Sequence, residues 1–186
     1  MTEHNVEGKG DVQGEFRDDP ILGPAYAYWR GKWRNGDLPR RRDIDPTEIP
    51  RLLPHLLITE LVEGGTRLRY RLAGTAVVAA YGGELTGRHC DEVCPPERRA
   101  SIVAQYRLIS ERKQPLLLRH RYLSSNRVPL ICHRLVMPLS NDGKTVSQFV
   151  AALRFEYNGS AYEWAGRWAG SSGDFTYEDG YSALVA

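Results

Sequence analysis

Hydrophobic and polar positions alternate with a period of two along several stretches of the chain and with a helical period along two others. Residues 56–63 (LLITELVE) open on an apolar run, and Gly64-Gly65 follows. Arg67, Arg69 and Arg71 then alternate with Leu68, Tyr70 and Leu72. A period of two sends successive side chains to opposite faces, so residues 67–72 form a strand with one row in the core and one in water. The glycine pair predicts a tight hairpin between the two strands. Residues 76–81 are a short apolar helix that runs into Gly82-Gly83 and the turn Leu85-Thr86-Gly87-Arg88. Three more strands come later. In residues 116–123, Arg119 and Arg121 alternate with Leu118, His120 and Tyr122. Residues 130–139 put Ile131, His133, Leu135 and Met137 on one row and Cys132, Arg134 and Val136 on the other. Residues 146–157 set Phe149, Ala151, Leu153 and Phe155 against Gln148, Val150, Ala152, Arg154 and Glu156. Ser124-Ser125-Asn126 and Asn141-Asp142-Gly143-Lys144 supply the turns between these strands.

The helical period appears first in residues 20–35, where Tyr26, Trp29 and Trp33 fall at i, i+3 and i+7 and make an aromatic stripe. Gly36 and Pro39 stop this helix. Such a stripe needs a surface to cover, either the domain's own sheet or a second copy of the chain, which makes Tyr26, Trp29 and Trp33 interface candidates. Asp45-Pro46-Thr47-Glu48 reads as a capping box with proline in the first helical position. Pro50 and Pro54 then restrict residues 49–55 to short turns. In residues 97–112, Ile102, Tyr106 and Ile109 repeat at helical spacing with Val103 beside them, and Arg98, Arg99, Glu111 and Arg112 are assigned to the wet face. The order is strand-strand, short helices, one longer helix, then three strands, with tight turns inside each group. That is an α+β fold: a five-stranded antiparallel sheet with helices on one face and an aromatic flanking helix at the N-terminus.

The 186 residues, 41% hydrophobic and 26% charged, suit one domain with a substantial core. Residues 1–19 have almost nothing to bury and are expected to be a disordered tail. Residues 20–55 are the flanking helix and turns, and residues 56–157 the core. Residues 158–186 form a Gly-rich and aromatic tail that either packs on the domain or binds a partner. A net charge of +2 gives no strong pull toward nucleic acid or anionic membrane. Arg40-Arg41-Arg42 is flanked by Asp37, Asp43 and Asp45 and reads as a solvated loop. No segment approaches the ~20 apolar residues of a membrane helix. The N-terminal residues lack the apolar stretch of a secretory signal. Three cysteines argue for a reducing compartment rather than a disulfide framework. A cytoplasmic protein is therefore expected. The sequence has no phosphate-binding glycine loop, nucleophile elbow or His-Glu-x-x-His pattern, so no enzymatic activity is read from it.

The strand order and several local motifs resemble the PAS fold, whose ligand cavity lies between sheet and helices, and in particular a group of small stand-alone bacterial PAS-like proteins. The motifs are Tyr28-Trp29, Leu38-Pro39, Asp43 to Pro46, Tyr70 to Thr75, Leu85 to Arg88 and Met137 to Ser140. They cover roughly residues 26–157. The resemblance implies a sensory or ligand-binding module acting in signalling, through a protein partner or a homodimer. It transfers no catalytic residue and names no cofactor.

Pairing residues 116–123 with 130–139 about a turn at 124–127 would set His120 near Ile131 and His133 near Leu118. Both imidazoles then share the cavity row, about 7 Å apart at the backbone. Such a pair could be two hydrogen-bonded core histidines, could orient a polar ligand, or could ligate haem or a metal. The cavity candidates are Tyr70, Tyr106, Leu118, His120, Tyr122, Ile131, His133, Leu135, Ala151 and Leu153. Gly87-Arg88-His89-Cys90 is superficially similar to the flavin-linked segment of blue-light-sensing PAS domains, but Asp91-Glu92-Val93 departs from that pattern. His89, Cys90 and Cys94 match no strong zinc spacing. Alternative readings are a small cavity enzyme with a histidine general base, or a flavin or haem sensor.

Overall fold

Gly64 and Gly65, at φ of 67° and 84°, turn strand β1 (Leu56–Val62) back into β2 (Arg67–Ala73). These positive angles favour glycine because it has no β-carbon to clash. In this computed structural model, which describes residues 16–94, 96–124, 129–157, 160–161 and 175–185, the hairpin forms one edge of an antiparallel sheet. Four further strands complete its main path: β3 (Leu116–Ser124), β4 (Pro129–Ser140), β5 (Val146–Tyr157) and, after the two-residue β6 (Ser160–Ala161), β7 (Phe175–Leu184). The order across the sheet is β2-β1-β5-β4-β3-β7, with β6 paired to the end of β5. The five expected strands are all present. The sixth comes from the C-terminal tail, which lies antiparallel along β3 from Leu116↔Leu184 to Ser124↔Phe175. Residues 1–15 and 162–174, which hold most of the predicted tails, lie outside the described residues.

Helix α1 (Leu22–Gly31) covers one face of the sheet. Asp19 caps it: its Oδ1 accepts from the backbone N–H groups of Ile21 at 2.9 Å and Leu22 at 2.8 Å. Trp29 is buried and its indole Nε1 donates to the Pro138 carbonyl at 2.9 Å. The aromatic stripe is thus seated on the domain's own sheet. Phe16 packs edge-on against Tyr26 at 5.3 Å, and both Phe16 and Asp19 are buried, so the fold starts before residue 20. The helix ends at Gly31 rather than at residue 35. Asn35 and Gly36 take left-handed angles, and the Asp37 N–H closes a turn onto the Arg34 carbonyl at 2.8 Å.

The next segment, as expected, makes only single 3₁₀ turns at Arg41–Asp43, Pro46–Glu48 and Leu53–His55. Asp45 caps as predicted, accepting from the Thr47 N–H at 2.8 Å. Glu48 instead accepts from the Tyr28 hydroxyl at 2.7 Å and pairs with Lys32, tying the turns to α1.

On the opposite face lie α2 (Thr75–Tyr81), α3 (Cys90–Val93) and α4 (Pro96–Arg112). Tyr106 of α4 meets Phe149 of β5 edge-to-face at 4.7 Å. A bulge shifts the β1–β2 register between Ile58 and Thr59, so Thr59 faces Tyr70 and Ile58 faces Leu72. It turns Leu72 out of the predicted core row, leaving it 36% exposed. Among the described residues, no helix is long and apolar enough to cross a membrane.

Candidate functional site

The register of β3 with β4 decides which side chains meet beneath α4. His120 lies opposite Cys132, and Arg119 opposite His133. This is one residue away from the expected pairing, and a slip of one exchanges the two faces of a strand. The α4-facing row of β4 is therefore Leu130, Cys132, Arg134 and Val136. Ile131, His133 and Leu135 face the α1 side. His120 and His133 point to opposite faces of the sheet and form no pair.

On the α1 side, His133 Nε2 lies 3.3 Å from Glu156 Oε2. Glu156 also pairs with Arg154, which in turn pairs with Asp19. This chain of charges fastens the N-terminal segment to β5. Burial, and then the neighbouring Arg154, lower the basicity of His133.

The cavity candidates on the α4 side do come together. Leu118 and Leu153 are fully buried, Ala151 sits opposite Val136, and Leu153 opposite Arg134. Tyr122 pairs with Leu130 in register, and its side chain falls outside the described residues. Tyr70 and Tyr106 are buried in the same layer. Beside them the structure places charged groups that the periodicity assigned elsewhere. Arg98 is buried, and its Nη2 lies 3.0 Å from His120 Nε2. It stands four residues before Ile102, on the same stripe as Tyr106, a spacing that already marked it as inward-facing. Arg134 is only 8% exposed. Its Nη2 donates to the Tyr106 hydroxyl, and its guanidinium carbon lies 5.5 Å from the centre of that ring. Thr59 is buried opposite Tyr70, with its hydroxyl near that of Tyr106.

This environment sets the protonation states. Burial, reinforced by the charges of Arg98 and Arg134, lowers His120 to about 3. Its Nε2 faces the Arg98 guanidinium as a neutral acceptor. Cys90 is drawn down to about 6, first by the thiol of Cys94 and then by the Tyr70 hydroxyl and the charge of Arg134. Cys94 moves upward as the donor of that bond, and Tyr70 upward through burial and the neighbouring sulfur. Burial pushes Cys132 up to about 12, against the lowering effect of the Arg134 charge. Among the described residues no cluster of His, Cys, Asp and Glu is arranged to hold a metal ion. Tyr106 packs between the Phe149 ring and the Arg134 guanidinium in this layer.

Comparison with curated proteins found no match. Among solved structures, similar chains include the Rhodobacter sphaeroides LOV protein, at 13% identity over 62% of this chain and 69% of that one, with a TM-score of 0.43. The Aureochrome1 LOV domain is 13% identical over 57% of this chain and 84% of that one, with a TM-score of 0.41. The sequence itself matches the family described as PAS domain over residues 19–154. That span takes in α1, both hairpins, the buried cluster and most of β5, and it covers well over half of the chain, so the protein belongs to the PAS domain family.

Proposed function

We propose that this PAS domain is the input module of a signalling system, and that it responds to a small molecule received among the buried polar groups beneath α4. A single observation carries this reading. Arg98, His120, Arg134, Tyr106 and Tyr70 occupy a layer where a purely structural core would hold hydrocarbon, and the strand bearing His120 is hydrogen-bonded along its other edge to β7. Buried polar groups of this kind are costly unless they are satisfied, and they cluster where a fold recognises something. A guest that moved the His120 row would act directly on the pairing of β3 with β7. The signal would then leave through the C-terminal segment to a protein partner or a second copy of the chain.

The histidine general-base alternative is weaker. An imidazole held near pKa 3 and engaged by Arg98 is a poor proton acceptor near neutrality.

The test is a small-molecule thermal-shift screen of the full chain, with each stabilising compound followed by amide hydrogen exchange. A compound that raises the melting temperature and changes exchange in residues 175–184 is the expected result. A screen whose every stabilising compound leaves β3 and β7 unchanged in exchange, or that yields no such compound, overturns the reading.

A further inference from the structure

Arg134 is a buried cation with no carboxylate partner among the described residues. It lies in the middle of the α4-facing row of β4 and is 8% exposed. Its hydrogen-bonding partner is a neutral phenol, the Tyr106 hydroxyl on Nη2, and its Nε–H has no hydrogen-bond partner among the described residues. Tyr106, Tyr81, Tyr70 and Cys132 act on it electrostatically, and it in turn lowers the Cys90 thiol; none of these groups is a carboxylate. Arg98, reaching in from α4 to His120, adds positive charge to the same layer. A desolvated guanidinium carries a large penalty that only an anion can offset fully, and proteins rarely leave one without such a partner.

We propose that Arg134 is the recognition point of a buried anion site, and that the class of ligand it takes is a small organic carboxylate. This rests on the reading of the α4 layer as a sensory pocket. The guanidinium edge supplies the selectivity. Nε–H and the adjacent Nη2 form a fork that matches the two oxygens of a carboxylate. In this structure the Tyr106 oxygen occupies one of those two acceptor positions, and the other, at Nε, is vacant of any described partner. A carboxylate binding here takes both positions and displaces the phenol. Tyr106 packs on Phe149 and sits on α4, so the exchange moves the helix relative to β5. The same packing restricts the ligand to a few heavy atoms.

The test compares melting of the full chain in sodium acetate, in sodium chloride at equal ionic strength and in acetamide, titrated to about 50 mM because so small a ligand binds weakly. Acetate is expected to raise the melting temperature above its value in chloride, and acetamide to leave it unchanged. Arg134→Met removes the acetate effect. In chloride this variant melts at or above the parent, because a buried charge has been replaced by a side chain of similar length. Arg134→Lys keeps the charge but loses the fork, and its apparent affinity for acetate falls by about tenfold.

Equal melting in acetate and chloride overturns the proposal, as does an acetate effect that survives in Arg134→Met. An Arg134→Met protein that melts well below the parent in chloride, or does not fold, marks the residue as structural and overturns it too. Stabilisation by a neutral compound with none from acetate leaves the sensory reading standing and removes the carboxylate.

Discussion

His120 shows how one residue's surroundings become a property of the whole protein. Burial disfavours its charged form first, and the guanidinium groups of Arg98 and Arg134 oppose the incoming proton, so it is lowered to about 3 from an ordinary value of 6.5. Between those two values the unfolded chain binds a proton that the folded protein refuses. The folded state therefore loses stability as the pH falls through about 6.5, and regains it as the pH rises. At pH 4.5 this single group is worth roughly 2–3 kcal/mol. His120→Gln keeps an acceptor for Arg98 but does not titrate. Urea unfolding at pH 7.5 and 4.5 should show the parent losing about 2 kcal/mol more than the variant; parallel profiles would contradict the buried neutral imidazole.

Trp29 poses a different question, whether its indole serves as bulk or as a donor. Trp29→Phe keeps most of the packing and leaves the Pro138 carbonyl buried without its 2.9 Å partner, at an expected cost of about 1–2 kcal/mol. Trp29→Ala should cost about 3–5 kcal/mol, because it also opens a cavity against the sheet. A Trp29→Phe protein as stable as the parent would mean that the hydrogen bond contributes nothing, and equal losses in the two variants that the packing does not.

At the scale of elements, periodicity was a good guide to existence and a poor one to facing. All five core strands and both longer helices stand close to where the alternation put them, because each has a row or stripe that must be buried. The facing of β4 was not legible. Leu135, Met137 and Leu139 on one row are as fully buried as Val136 on the other, since α1 covers one face of the sheet and α4 the opposite one. With both rows apolar, only the register to β3 decides which faces α4, and the alternation does not encode that register. Leu72 was misplaced for a related reason: a bulge inserts one residue and leaves no mark on the hydrophobic pattern. Arg98 and Arg134 were missed as site residues because charge implies water by default, although their positions on an apolar stripe and an apolar row were the available signal.

The junction of α1 with the sheet belongs to this scale as well. One Asp19 oxygen caps the helix while the other pairs with Arg154 of β5. Asp19→Ala should destabilise the protein by about 2 kcal/mol, since it removes a cap and one of the two carboxylates paired with a partly buried guanidinium, leaving only Glu156 on Arg154. Asp19→Asn keeps a capping acceptor and should lose less. Reversed ranking in urea denaturation would refute this double role.

At the scale of the molecule, the C-terminal strand extends the sheet and covers the outer edge of β3. β7 runs the full length of β3, and beyond it Val185 is buried with its N–H donating to the Pro115 carbonyl at 2.9 Å. The contact spans the strand that carries Leu118 and His120 inward, so β7 lies one ladder of hydrogen bonds from the α4 layer. Removing residues 158–186 would leave the outer backbone donors and acceptors of β3 unpaired, and an unpaired edge is a template for another strand. The truncated protein should keep α1 and the β2-β1-β5-β4-β3 path, which do not depend on β7 for pairing. It should melt lower and self-associate, with light scattering after gel filtration showing a concentration-dependent rise in mass absent from the full chain. Charge decides how far this goes. Arg119 and Arg121 alternate along the exposed edge, and their repulsion across an antiparallel β3–β3 pair weakens as salt screens it. Association of the truncated chain should therefore strengthen with ionic strength. A truncated protein that stays monomeric in high salt and melts with the parent would mean that β7 neither protects the edge nor reports on the interior beside it.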